Sequence, residues 1–185
     1  KTWLVPEVRK WLLSFPQKPR LLIEPFAGGG IVSLTAAFEC LADKVLLVEL
    51  DNEVAAVWET IISGNAEWLA RRIEEFKMSL ESAKEIISSC PSTRSEIAFR
   101  TIVKNRTFHG GILAPGSSFL KNGENGKGVL SRWYAGTIAK RIPYCNLRYD
   151  EGVEQRLFNV LTGRIREITG IFGTIPDFIT DNWVT

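Results

Sequence analysis

The sequence has little of what most metal-dependent and secreted proteins rely on. Its three cysteines, Cys40, Cys90 and Cys145, form an odd, scattered set with no C-x-x-C pair. That excludes a disulfide framework and a thiolate zinc site. A single histidine, His109, removes most metal-ligand sets and Ser-His schemes, and its simplest role is a hydrogen-bonded loop residue. No window stays apolar over the ~18 residues a membrane span needs, and no signal-peptide pattern precedes the first amphipathic segment. The expectation is a reducing, cytoplasmic setting with no metal and no membrane partner. The 185 residues, 45% of them apolar and 24% charged, suffice for one domain with a real core and room for a smaller subdomain.

Charge is unevenly spread. Residues 94–148 carry ten Lys/Arg against Glu96 and Glu124, a local charge of +8. The rest of the chain therefore stands at −6, giving the overall +2. A solvated basic face is one reading. A polyanion partner is the sharper one, because clustered Lys and Arg gain affinity by releasing counterions from phosphates.

Periodicity orders the chain. Leu4, Val8, Trp11, Leu12 and Phe15 share one helical face, so residues 3–15 read as a helix that FPQKPR breaks. LLIEPF (21–26) and KVLLVEL (44–50) read as short buried strands. GIVSLTAAFECLA (30–42) and NEVAAVWETII (52–62) read as the helices that follow them. This alternation is the front of a doubly wound, mostly parallel α/β sheet. Helical stretches follow at 65–77 and 80–90, then one capped by Thr93 or Ser95. Residues 109–128 hold six glycines and a proline and read as a long loop, and a helix is expected near 151–169.

The segment LLIEPFAGGGIVSL (21–34) runs from a strand through a carboxylate and three glycines into a helix. Such turns usually cradle a phosphate. Gly28, Gly30 and Ser33 fit the dinucleotide fingerprint only if Ser33 replaces its last glycine, with Glu49 at the next strand end to hold a ribose. Glu24 points elsewhere, because a carboxylate there repels a pyrophosphate and attracts an ammonium group. S-adenosylmethionine offers an ammonium, a cationic sulfonium and ribose hydroxyls for Glu49, and it carries no phosphate. Two alternatives stand beside it. One is a nicotinamide-dependent oxidoreductase whose acid/base could only be His109, and the other is a tight turn that merely exposes an acid.

Residues 99–141 suit nucleic acid on their own terms. Arg100, Lys104, Arg106, Lys121, Lys127, Arg132, Lys140 and Arg141 can meet phosphates, and Asn105, Asn122 and Asn125 can meet base edges. Phe108, Phe119, Trp133 and Tyr134 offer flat faces for stacking. The run SRWY reads equally as a core aromatic pair beside a surface arginine.

IEPFAGGGIVSL closely resembles the E-P-F-x-G-x-G cofactor motif of the Dam-like DNA adenine N6-methyltransferases, and LLVELDNEVAAVWETI resembles the acidic strand end that follows it. KNRTFHGGILAPG and NGENGKGVLSRWY resemble the family's N-R-x-x-F-x-G segment and the glycine-rich stretch after it, so the likeness covers residues 1 to about 142. The resemblance implies a Rossmann-like S-adenosylmethionine-dependent methyltransferase fold with a helical and loop DNA-recognition insertion. The core would comprise 1–64 and 142–185, with 65–141 as the basic insertion. The methyl donor would lie on Lys1, Glu24, Pro25, Phe26, Ala27, Gly28, Gly29, Gly30, Glu49, Leu50 and Asp51. Duplex DNA would lie on Lys104, Asn105, Arg106, Lys121, Asn122, Lys127, Arg132, Trp133 and Tyr134. A cognate restriction endonuclease acting independently would be a natural companion.

One part of the family pattern is missing. Relatives receive the extruded adenine on an Asp/Asn-Pro-Pro-aromatic motif, and this sequence has none. Asp181, after an apolar run and near Trp183, is the candidate acid that remains. The leading expectation is methyl transfer to adenine N6 in DNA. The alternative is a divergent or shortened remnant that binds cofactor or DNA without turnover.

Overall fold

The computed structural model describes residues 2–111, 113, 116–121 and 126–146. They fall into two compact units, 2–55 and 56–146. Lys1, Asn122, Asp181 and the helix expected near 151–169 lie outside the described residues.

In the first unit a 3-10 turn, Thr2–Leu4, leads into helix α1, Val5–Leu13. Pro6 suits the first turn, where its missing N–H costs nothing, and Val8 and Leu12 bury one face at i, i+4 spacing. Strand β1, Leu21–Glu24, pairs in parallel with strand β2, Lys44–Leu47, in the register Leu21↔Lys44 to Glu24↔Leu47. Helix α2, Ile31–Phe38, joins them and packs on both strands and on α1. Its buried face is Ser33, Thr35 and Ala36, small side chains that let the helix lie close to the sheet. Among the described residues the sheet has these two strands, a β–α–β unit. Both strands and α2 are shorter than the apolar runs suggest, because the residues after each strand turn away into loops.

Helix α3, Asn52–Thr60, begins at the end of the first unit. It passes through one wide helical turn, Ile61–Asn65, into helix α4, Ala66–Glu75. Gly64, at φ +86°, breaks the run there, a conformation that glycine adopts without a Cβ clash. In α4, Ala66, Leu69, Ala70 and Ile73 are buried at i, i+3, i+4, i+7. Helix α5, Leu80–Ser88, starts at a Ser79/Ser82 capping box. Helix α6, Arg94–Thr107, packs on α4 and α5, and helix α7, Ala135–Asn146, packs on α4. Phe76 meets Phe99 edge to face at 5.2 Å, with the Arg72 guanidinium 4.6 Å above the Phe99 ring.

Of the two cap candidates for α6, Thr93 is the one used. Its hydroxyl accepts from the Glu96 N–H, and the Glu96 carboxylate accepts from the Thr93 N–H. The Thr93 hydroxyl also donates to the Glu96 carboxylate at 3.0 Å, and that bond first, then the backbone N–H groups of Thr93 and Ser92, holds the Glu96 carboxyl below its ordinary value. The stability it contributes is present above the ordinary carboxylate range and is lost as pH falls through the depressed value. Thr93→Ala should cost about 1 kcal/mol near neutral pH in urea unfolding. As pH falls through that depressed value the difference from wild type should shrink, and a difference that stays constant throughout an acid titration would show that the cap does not depend on the carboxylate.

Candidate functional site

The glycine turn is strapped to the end of β2. Val48 N–H donates to the Glu24 carbonyl at 2.9 Å and Ala27 N–H to the Val48 carbonyl at 3.0 Å. Gly28 N–H donates to Glu49 Oε2 at 2.7 Å, while Asp51 N–H donates to Glu49 Oε1 at 3.0 Å. Glu49 thus ties the turn to its own strand end with both carboxylate oxygens. Gly30 N–H closes the turn onto the Ala27 carbonyl at 2.7 Å. Gly28 at φ +48° and Gly30 at φ +60° take the left-handed conformation that this tight path needs.

Glu24 has a role that spacing alone did not reveal. Its Oε2 accepts the Ser33 N–H at 2.8 Å, in the first turn of α2. Gly30 precedes that helix without a side chain to cap it, and the strand-end carboxylate takes over the task. The anion position at the helix N-terminus is therefore already filled by a protein carboxylate. Oε1 of Glu24 has no partner among the described residues. Asp51 caps α3 in the same way, its Oδ1 accepting the Glu53 N–H at 2.8 Å.

The rim of this turn is open. A Cβ at Gly28 or Gly29 would meet nothing within 4 Å, and Gly29 does not have a left-handed φ. Packing within the unit thus does not require glycine at 29. Phe26 (78% exposed) and Leu50 (73%) follow the two strand ends and present bare apolar surface. Pro25 is half-buried and Ala27 buried. The buried Ser33 Oγ lacks a hydrogen-bond partner among the described residues. Ser33, read in the sequence only as the stand-in for the last glycine of a dinucleotide fingerprint, instead gives its backbone N–H to Glu24.

The basic segment is described within the second unit. Asn105 Nδ2 donates to the Gly111 carbonyl at 2.9 Å, and Arg132 Nη1 donates to the Phe108 carbonyl at 3.2 Å. Phe108 and Phe119 stack edge to face at 5.1 Å, and Trp133 meets Phe76 at 5.7 Å. Of the four aromatics read as stacking faces, Tyr134 alone is exposed. Lys121 and Lys127 are exposed, whereas Lys104, Arg106 and Arg132 are half-buried. Loss of water, then repulsion from Arg132 and Arg141, lowers the Arg106 guanidinium from its ordinary value. His109 is exposed, and its backbone N–H donates to the Ser118 carbonyl at 2.9 Å.

Among the described residues, no group of three His, Cys, Asp or Glu is placed to hold a metal ion, and no helix is long and apolar enough to cross a membrane. No family model, curated protein or solved structure matches the chain.

Proposed function

We propose that this chain is an S-adenosylmethionine-binding domain of the adenine-specific DNA methyltransferase type, with a cytoplasmic location. The observation that carries the reading is the carboxylate pair at the glycine turn, Glu24 on α2 and Glu49 on the turn itself. Two carboxylates at the strand ends make the turn hostile to a pyrophosphate and receptive to a cation. The free oxygen of Glu24 suits the ammonium of the methyl donor. Each Glu49 oxygen keeps a lone pair beyond its backbone bond and can accept a ribose hydroxyl. Phe26 and Leu50 supply apolar surface for the adenine ring, and the open rim at Gly28 and Gly29 admits a ligand close to the backbone. The residues present fit the cofactor, which supplies an activated methyl group when bound. The +8 segment would hold duplex DNA, its lysines and arginines neutralising phosphates.

One observation favours the second reading, binding without transfer. The sequence contains no Asp-Pro-Pro-aromatic acceptor for the adenine amino group.

Titration calorimetry tests the shared part of both readings. S-adenosylmethionine and its demethylated product should bind, and NAD should not; the reverse would overturn the proposal. Glu49→Ala should weaken binding of the methyl donor by about 1.5–3 kcal/mol, a factor of roughly 10 to 150. Because Glu49 also holds Gly28, Glu49→Gln is the companion variant, keeping an acceptor oxygen for the turn while removing the charge. Unchanged affinity in both would take Glu49 out of the site.

A further inference from the structure

We infer that the cavity walled by α4, α6 and the loop between α5 and α6 binds a free aromatic α-amino acid. The carboxylate rests on Arg72 and Arg100, the ammonium on Glu96 and the ring on Trp68. Neither the methyl donor nor DNA enters here, and every lining residue belongs to the second unit.

The cavity measures about 330 Å³, a size at the lower end of small-molecule sites. Trp68 and Arg72 line it from α4, Cys90 from the loop, and Glu96, Phe99 and Arg100 from α6. Residues four apart on a helix share a face, so Trp68 stands beside Arg72 and Glu96 beside Arg100. Phe99 is buried, and the half-buried Arg72 guanidinium lies 4.6 Å from the centre of its ring. A ring face attracts that charge but offers no carboxylate to its N–H fork. Arg72 enters no ion pair among the described residues, so the fork keeps its capacity for an anion. Arg100, also half-buried, is drawn to the loop by the Ser89 carbonyl, to which its Nη1 donates at 3.0 Å.

Opposite charges thus line one space without neutralising each other. Glu96 and Arg100, at i and i+4, have the spacing of a helix-surface ion pair. The cap of α6 takes the carboxylate instead. Its Oε2 accepts from the Thr93 N–H at 3.2 Å and hydroxyl at 3.0 Å, and from the Ser92 N–H at 3.3 Å and hydroxyl at 3.4 Å. Oε1 accepts no hydrogen bond and Glu96 enters no ion pair among the described residues. A carboxylate with a spare oxygen and a guanidinium with spare donors suit a ligand that carries both signs. A simple anion would be repelled by Glu96, and a simple cation would meet two guanidinium groups. An α-amino acid presents both charges from one carbon, and guanidinium forks bind carboxylates through paired N–H groups. Trp68, 42% exposed, offers the indole face on which an aromatic side chain packs.

Titration calorimetry of the full chain with phenylalanine tests the site, beside N-acetylphenylalanine and phenylalaninamide, each of which lacks one charge. Phenylalanine should bind, and each single-charge compound should bind at least about ten-fold more weakly. No binding of phenylalanine, or equal binding of all three, would overturn the inference. Glu96→Gln keeps an oxygen for the cap, and it should weaken phenylalanine while leaving N-acetylphenylalanine unchanged. Equal weakening of both would remove the ammonium contact and overturn the assignment. Alkylation by iodoacetamide, read peptide by peptide, locates the ligand. Saturating phenylalanine should slow Cys90 several-fold and leave Cys40, exposed just after α2, unchanged. An unprotected Cys90 would overturn the site, whichever other thiol responds. S-adenosylmethionine should neither compete with phenylalanine nor protect Cys90. Competition there would make the cavity the methyl donor's seat, overturning both this inference and the glycine-turn reading. Phenylalanine binding without any methyl-donor binding would sink only the proposed function.

Discussion

Methyl transfer by residues 1–185 is expected to lag methyl-donor binding by several powers of ten. The amino group of adenine is a poor nucleophile because its lone pair is conjugated into the ring. Its transfer chemistry needs preorganised acceptors for the amino hydrogens and an aromatic face for the extruded base. The proposal gives the remaining acceptor capacity of Glu24 and Glu49 to the methyl donor, and the sequence has no Asp-Pro-Pro-aromatic motif, which leaves no identified acceptor for that amino group. One lost preorganised contact of this kind costs about 2.7–4 kcal/mol, and losing two multiplies to several powers of ten in rate. Tritiated methyl transfer to mixed-sequence DNA, with a methyltransferase that carries the Asp-Pro-Pro-aromatic motif as positive control, makes the measurement. Robust turnover would show that an acceptor exists elsewhere in the chain. Asp181→Ala would then be the first variant, and its loss of transfer with retained donor affinity would identify that acceptor.

Removing Arg94 is expected to destabilise the chain by about 3 kcal/mol. Glu59, at the end of α3, is 4% exposed, and its carboxylate accepts from both Nε and Nη2 of Arg94 at the start of α6. Arg94→Ala leaves that carboxylate buried without a counter-charge, which costs far more than the net worth of the pair. The partial exposure of Arg94 admits some water and places the expected loss at the lower end of the range for buried pairs. Urea unfolding of Arg94→Ala, Glu59→Leu and Arg94→Met/Glu59→Leu separates the effects. The double variant should recover most of the loss, since an apolar pair of similar volume removes the orphaned charge. Equal destabilisation in the single and double variants would show that packing, not the buried charge, sets the cost. The tie matters to the site because α6 carries Asn105 and Arg106 at its far end.

The order of elements was legible from local rules. Apolar runs of strand length mark β1 and β2, and the 3.6-residue spacing of Ala66, Leu69, Ala70 and Ile73 marks α4. Thr93 with Glu96 three residues on marks the start of α6, and three consecutive glycines mark a turn that must pass through left-handed backbone. Strand ends were less legible than strand centres. Hydropathy continues through Phe26 and Leu50, while the backbone there has already left the sheet and exposes both side chains.

The sequence by itself therefore determined a strand–glycine turn–helix–strand front bearing two carboxylates, followed by helices and a strongly basic segment. These follow from periodicity, capping and charge, which act over a few residues at a time. Only the tertiary structure decided what each polar group does, because those partners come from distant parts of the chain. Glu24 reaches the first turn of α2, and Glu49 reaches back to Gly28. Phe108, Phe119 and Trp133 turn inward to ring partners, whereas Tyr134 stays exposed.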